Sequence, residues 1–351
     1  MRAEPMSTFV KRRLQTAAQR LGTTDPVPLV GGLFDRSFSL PAGSPEYGAN
    51  SLMPGAVPLE PSFSEQESGA LRFTMVPLPP GASAAARQQE ATREMRRLVA
   101  PAFGGEALRW FDERSEEWRG TGGFSRGSFG AYFSTSFDED GLLASKVYYE
   151  LRPEDLDALP PGVRALVRTA LSVLPGLVPV FTLIKCGRNC GNQRVTFYHR
   201  GPLALARLGQ LMQPLGLAHQ LPSVMQLVGL ALGGRFDLPE GSVVLGLGPG
   251  RDGAELKLEV LLGRIPDLPT SFLDLLALGL AERPRELHAL QRWLAAFTPD
   301  QAEWPGRFSV LSLRTTRDTP ARVSLYLRPI EFELRNVPAA APSAEPQPAY
   351  S

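Results

Sequence analysis

Apolar and polar positions alternate along this chain in short paired runs, and nearly every pair is followed by a stretch with helical spacing. The pairs cover residues 57–64 with 70–78, 128–137 with 143–151, 178–186 with 193–200, 242–248 with 254–262, and 307–314 with 321–327. Helical periodicity marks 7–21, 84–99, 106–118, 161–174, 203–212, 223–232, 270–280 and 283–297. Asp140-Gly141, Gly191-Asn192 and Asp252-Gly253 stand between strand-forming runs and read as hairpin turns. The theme recurs at a spacing of about 50–70 residues with little identity between units, and five hairpins predict ten strands.

The second strand of each hairpin separates into two faces at period 2. One face is apolar: Phe73 and Met75; Val147; Val195 and Phe197; Leu256, Leu258 and Val260; Val323, Leu325 and Leu327. The opposite face carries Arg72 and Thr74; Lys146 and Tyr148; Arg194, Thr196 and Tyr198; Lys257 and Glu259; Arg322, Ser324 and Tyr326. The apolar face must meet the amphipathic helices. The polar face is either the solvated side of an open sheet or the wall of a wet lumen, and alternation alone does not separate the two. Recurrent tyrosines, and helices after nearly every hairpin, favour the lumen. The expected fold is α+β: a ten-stranded antiparallel β-barrel with a solvent-filled interior, surrounded by helices and without open edges.

Composition narrows the function. The chain has 351 residues, 43% of them hydrophobic and 21% charged, enough for a sizeable core. The 37 basic and 36 acidic residues give a formal charge of +1, which argues against nucleic-acid binding by overall charge. Two cysteines exclude a disulfide scaffold. The apolar runs are too short to span a bilayer, and the N-terminal residues lack a secretory apolar segment, so a cytoplasmic protein is expected. Residues 1–50 read as a short helix and a Gly/Pro/Ser-rich loop packing on the barrel, 51–336 as the barrel, and the Pro/Ala/Ser-rich stretch 337–351 as a disordered tail.

Arg72, Lys146, Arg194, Lys257 and Arg322 would bring several positive charges into one low-dielectric space, which suits a diphosphate. Tyr148, Tyr198 and Tyr326 add electron-rich faces that stabilise a cation. Phosphate and carbocation stabilisation together point to an allylic diphosphate ionising inside a protein.

SLMPGAVPLEPSFSEQESGALRFTMVPL (Ser51–Leu78), SKVYYEL (Ser145–Leu151), RVTFY (Arg194–Tyr198) and FSVLSLRTTRDTPARVSLYLRP (Phe308–Pro329) together resemble the dimethylallyltryptophan-synthase-type indole prenyltransferases. The resemblance extends over roughly residues 45–330, and it rests on the order and spacing of short motifs. It implies the αββα (ABBA) prenyltransferase barrel. It also implies that Glu60 meets the acceptor's indole N–H, that Arg72, Lys146 and Arg194 bind diphosphate, and that Tyr148, Tyr198 and Tyr326 shield the cation. Thr74 and Glu150 would lie by the acceptor. Three positions depart from the pattern: Thr196 replaces a second cation, and Glu259 and Glu150 stand where tyrosines are usual.

Rival motifs read as structure. GLGPGRDG (Gly246–Gly253) precedes a strand rather than the helix of a dinucleotide site. RGTGGFSRGSFG (Arg119–Gly130) lacks the Lys-Ser/Thr of a P-loop. Cys186 and Cys190, with three scattered histidines, do not make a zinc set. Asp138-Glu139-Asp140 lies in a hairpin, unlike the helical aspartate motif of Mg²⁺-dependent prenyl synthases. The expected activity is therefore metal-independent Friedel–Crafts prenylation of an electron-rich aromatic ring, the indole of tryptophan or of a tryptophan-derived peptide. Dimethylallyl or a longer diphosphate would be co-substrate, no cofactor would be needed, and Mg²⁺ would not be essential. The alternatives are a phenolic acceptor, or a non-catalytic barrel binding a small anionic or aromatic ligand.

Overall fold

In a computed structural model, which describes residues 4–119, 128–188 and 191–334, ten antiparallel strands close into a barrel. They are β1 (Leu59–Ser64), β2 (Leu71–Met75), β3 (Ala131–Asp138), β4 (Gly141–Glu150), β5 (Leu177–Gly187), β6 (Gly191–His199), β7 (Val243–Gly250), β8 (Gly253–Leu261), β9 (Gly306–Thr315) and β10 (Arg322–Pro329). Each strand pairs with its sequence neighbours, and β10 closes the ring on β1 through Ser62↔Tyr326 and Ser64↔Ser324. Closure rules out the open sheet and removes every free edge from the ring. All five hairpin turns lie at one end of the barrel, because each joins an odd strand to the next even one.

The helices are α1 (Met6–Leu21), α2 (Val27–Ser37), α3 (Ala84–Ser115), α4 (Pro161–Val173), α5 (Leu208–Met212), α6 (Leu221–Ala231), α7 (Phe272–Gly279) and α8 (Pro284–Phe297). Helix α3 packs on β3, β4 and β5, and α4 packs on β6 and β7. The core lies between these helices and the outer barrel face, where Phe73, Val147, Phe197, Val260 and Leu325 are fully buried. The inner face is equally enclosed but polar. Lys146, Arg194 and Lys257 are 5%, 6% and 9% exposed. A solvated sheet face would leave such charges open to water, so the alternation marks a lumen.

Several sequence expectations need correction. Residues 27–37 form a helix rather than part of a loop: Val30, Leu33 and Phe34 make a buried stripe that Gly31 and Gly32 obscure in the sequence. The helices expected at 84–99 and 106–118 are both present within α3, which breaks between them at Gly104, where φ is 89°, just after Pro101 removes a backbone donor. Residues 203–212 are not a single helix. Leu203–Ala204 pair with Asp237–Leu238, and only Leu208–Met212 is α-helical. Gly191 and Asn192 belong to β6, opposite Cys186 and Lys185. The expected tail at 337–351, most of the glycine-rich segment after Arg119, and Cys190 lie outside the described residues.

Candidate active site

The lumen is chemically polarised along the barrel axis. Its hairpin-end half holds cations on six strands: Arg72 on β2, Lys146 on β4, Lys185 on β5, Arg194 on β6, Lys257 on β8 and Arg314 on β9. Register explains the clustering. Lys146 stands beside Lys185, Lys257 beside Arg314, and Arg314 beside Arg322. Strand β7 contributes Gly246 between Thr196 and Lys257, and a Cβ there would come within 3.1 Å of Arg194 Cδ. Its bare backbone leaves space for the Arg194 side chain.

Carboxylates divide these cations among themselves. Arg194 donates to Glu255 at 2.8 Å, and Arg314 lies 3.4 Å from the same oxygen. Glu67, on the turn between β1 and β2, lies 3.3 Å from Arg72 and accepts from Lys185 at 2.9 Å. Lys257 donates to Glu259 and to the Tyr326 hydroxyl, the latter at 2.8 Å. Its ammonium is 5.2 Å from the Tyr326 ring centroid, a distance that places it at the hydroxyl edge rather than over a ring face. Burial, reinforced by Arg72, holds the Lys146 amine well below the ordinary lysine range, with Glu67 opposing. Burial likewise lowers Lys257, with Glu259 opposing. For Arg194 burial acts downward, but Glu255 and Glu259 outweigh it and raise the guanidinium above its usual value. Burial would raise Glu67, yet Arg72, Lys146 and Lys185 hold it far below the carboxylate range.

Toward the other end the lining becomes aromatic. Tyr148 on β4 meets Phe181 edge-on with centroids 5.2 Å apart. Tyr132, its register partner on β3, stacks on Phe129 at 4.3 Å with the planes 10° from parallel. Leu52, Val76 and Val180 complete this inner apolar patch, which is separate from the outer core. The Tyr132 hydroxyl donates to Ser51 at 2.7 Å. Tyr148 and Tyr326 are each within electrostatic reach of Arg72 and Arg194, so the aromatic zone borders the cation zone.

Glu60 enters from β1, opposite Thr74. Its carboxylate is buried and accepts a hydrogen bond from Ser309 at 2.6 Å. Ser309 is the extra residue of a bulge in β9, where the register shifts between Phe308 and Val310. A bulge re-aims a side chain, and here it turns a hydroxyl toward Glu60. Burial pushes Glu60 up to about 7, partly offset by Ser309, so this carboxyl is half-ionised near neutral pH.

The residues expected from sequence occupy different places. Arg72, Lys146, Tyr148, Arg194, Lys257 and Tyr326 come together, with Glu60 in electrostatic contact with Lys257 and Tyr326. Arg322 sits at the hairpin-end rim, 3.5 Å from buried Glu65, which also binds Arg283. Tyr198 lies near the opposite end, its hydroxyl against Gly241 before β7. Thr74 is buried between Glu60 and Ser134. Glu150 accepts a hydrogen bond from the Gly130 backbone at 2.9 Å. Asp138 of the acidic turn is bound by Arg188 through both carboxylate oxygens, at 2.6 and 2.7 Å. Among the described residues no group of three or more His, Cys, Asp or Glu is placed to hold a metal ion. No described helix is long and apolar enough to cross a membrane.

No protein-family model matches this sequence, and no curated protein does. Solved structures do. The 5-dimethylallyltryptophan synthase from Streptomyces coelicolor superposes with a TM-score of 0.70 at 20% identity, covering 95% of this chain and 100% of that one. This chain shares that structure's fold: the ten-stranded ring wrapped by helices is the ABBA prenyltransferase barrel. The 6-dimethylallyltryptophan synthase from Micromonospora olivasterospora, solved in complex with DMASPP and Trp, gives a TM-score of 0.71 at 18% identity over 95% and 99% of the two chains. PriB, in a ternary complex with L-tryptophan and dimethylallyl thiolodiphosphate, gives 0.66 at 17% identity over 95% and 98%.

Proposed function

We propose that this protein is an aromatic prenyltransferase that moves a prenyl group from dimethylallyl diphosphate, or a longer homologue, to the indole of tryptophan or of a tryptophan-derived peptide. The observation that carries the reading is the polarised lumen. Buried cations gather at one end, Tyr326 borders them, and Tyr148 with Glu60 and the Phe129–Tyr132 stack lies toward the other. Structurally similar proteins were solved with tryptophan and dimethylallyl diphosphate analogues bound, which supports this choice of donor and acceptor.

In this reading the diphosphate lies among Arg72, Lys146, Arg194 and Lys257, joined by Lys185 and Arg314. The allylic C–O bond breaks with its electron pair leaving on the diphosphate, and fixed cations stabilise that developing charge without reorganising. The guanidinium and ammonium groups supply the neutralisation that a metal ion gives elsewhere, so turnover is metal-independent. Tyr148 and Tyr326 border the allyl cation. Glu60 accepts the indole N–H and increases the electron density of the ring as it attacks. Loss of the ring proton restores aromaticity.

The test is incubation with dimethylallyl diphosphate and a panel of indoles and phenols, with and without EDTA, read by mass spectrometry. A product of acceptor plus one prenyl unit, formed equally with EDTA, is expected. Tight binding of diphosphate and acceptor without product would instead establish a non-catalytic barrel. A product on phenols alone would move the acceptor class.

A further inference from the structure

Glu67 is an acid inside a cation site. It sits on the three-residue turn Glu65–Glu67 and reaches Lys185 at 2.9 Å and Arg72 at 3.3 Å, within electrostatic range of Lys146. These are cations that the proposed function gives to the diphosphate. Two anions do not share such a seat, because like charges in a low-dielectric space repel.

Glu67 also has somewhere to go. A cavity of about 560 Å³ opens at the hairpin end of the barrel, and Glu67 and Lys185 form part of its wall together with Gln66, Ser68, Gly69 and Arg188. The Glu67 side chain keeps 19% of its surface exposed. Gly69 adjoins open space, since a Cβ built there meets nothing within 4 Å. The carboxylate thus stands on the boundary between the cation cluster and an open cavity.

We propose that Glu67 holds the diphosphate seat in the empty protein and withdraws into the hairpin-end cavity when a diphosphate enters, so that this one carboxylate sets how tightly the anion is kept. The inference rests on the reading that the cluster binds diphosphate. Pairing with Glu67 keeps Arg72 and Lys185 from repelling each other in the empty state, and breaking those pairs offsets part of the gain when diphosphate binds. Inorganic diphosphate left after transfer is held less tightly for the same reason, because Glu67 competes to return.

Calorimetric titration of the full chain with inorganic diphosphate tests this, comparing wild type with E67Q and G69F. Glu67→Gln removes the competing charge and is expected to bind diphosphate roughly tenfold or more tightly, and to be inhibited by it at correspondingly lower concentration. Gly69→Phe fills the space into which the carboxylate withdraws and is expected to bind diphosphate more weakly than wild type. If E67Q binds equally or more weakly, Glu67 organises the cations rather than competing for them, and the inference fails while the diphosphate site stands. If G69F binds as wild type does, the withdrawal into the cavity fails. If wild type and E67Q both ignore diphosphate, the underlying functional reading fails, and this inference with it.

Discussion

The Ser309 hydroxyl donates to Glu60 at 2.6 Å from a strand separated from it by β10 in the ring, and it does so because β9 carries a bulge at that residue. A regular β9 would alternate Ser309 to the outer face, and the contact would not form. The hydrogen bond favours the ionised carboxylate and so opposes the burial that raises it to about 7. Ser309→Ala removes this opposition, and the Glu60 pKa rises further. If prenyl transfer needs the Glu60 carboxylate, activity falls as pH drops through that value. The acid limb of kcat/KM in S309A is then expected at higher pH than in wild type, while S309T keeps the wild-type limb. A limb unmoved in S309A would show that Ser309 does not set the state of Glu60.

Glu60→Gln tests the role proposed for this carboxylate. The amide keeps the shape and can still receive the Ser309 hydrogen bond, but it cannot carry a negative charge. Turnover is expected to drop about a hundredfold and to lose its acid limb near pH 7, with affinity for inorganic diphosphate unchanged. Stopped-flow or steady-state kinetics across pH, beside calorimetry, separates the two effects. An unaltered rate would remove Glu60 from the chemistry.

The barrel was legible in the sequence because the second strands alternate over most of their length, and because hairpin turns and helices recur in a fixed order. Four of the cluster's six cations were legible: Arg72, Lys146, Arg194 and Lys257. Lys185 and Arg314 lie on first strands of hairpins, beside Lys146 and Lys257, and the same period-2 reading applied to those strands would have suggested them. The bulges in β5 and β9 hide this signal, since an inserted residue switches the face on which later residues lie. Glu67 and Ser309 carried no signal of their own: one is on a turn and the other at a bulge, where periodicity gives no direction. Helix α2 escaped for a different reason. Its glycine pair resembles a loop, and tertiary burial of Phe34 against Phe73 overrides that propensity.

The Phe129–Tyr132 stack places two parallel rings close to Glu60, as a planar aromatic acceptor would need. Phe129→Ala removes one ring of the stack and no charged group. The expected result is a KM for the indole acceptor raised about tenfold, with the diphosphate affinity preserved. Equal losses for both substrates would mean that Phe129 supports the barrel wall rather than the acceptor.

Lys146 offers a test of the anion site that does not depend on turnover. Its amine is depressed by burial first and by Arg72 next, so in the empty protein the charged form is disfavoured. A diphosphate placed beside it reverses the balance and raises the amine toward its ordinary value. Between the lowered pKa of the empty state and the higher value of the complex, binding must therefore take up a proton. Below the lowered value the amine is already charged and uptake through Lys146 vanishes. Above that value, diphosphate affinity falls as pH rises, because fewer molecules carry the charge at the outset. Calorimetry in buffers of different ionisation enthalpy is expected to show this uptake in wild type and its loss in K146M, together with a drop in affinity. Uptake of the same size in both proteins would assign the proton to another group and take Lys146 out of the diphosphate's immediate surroundings.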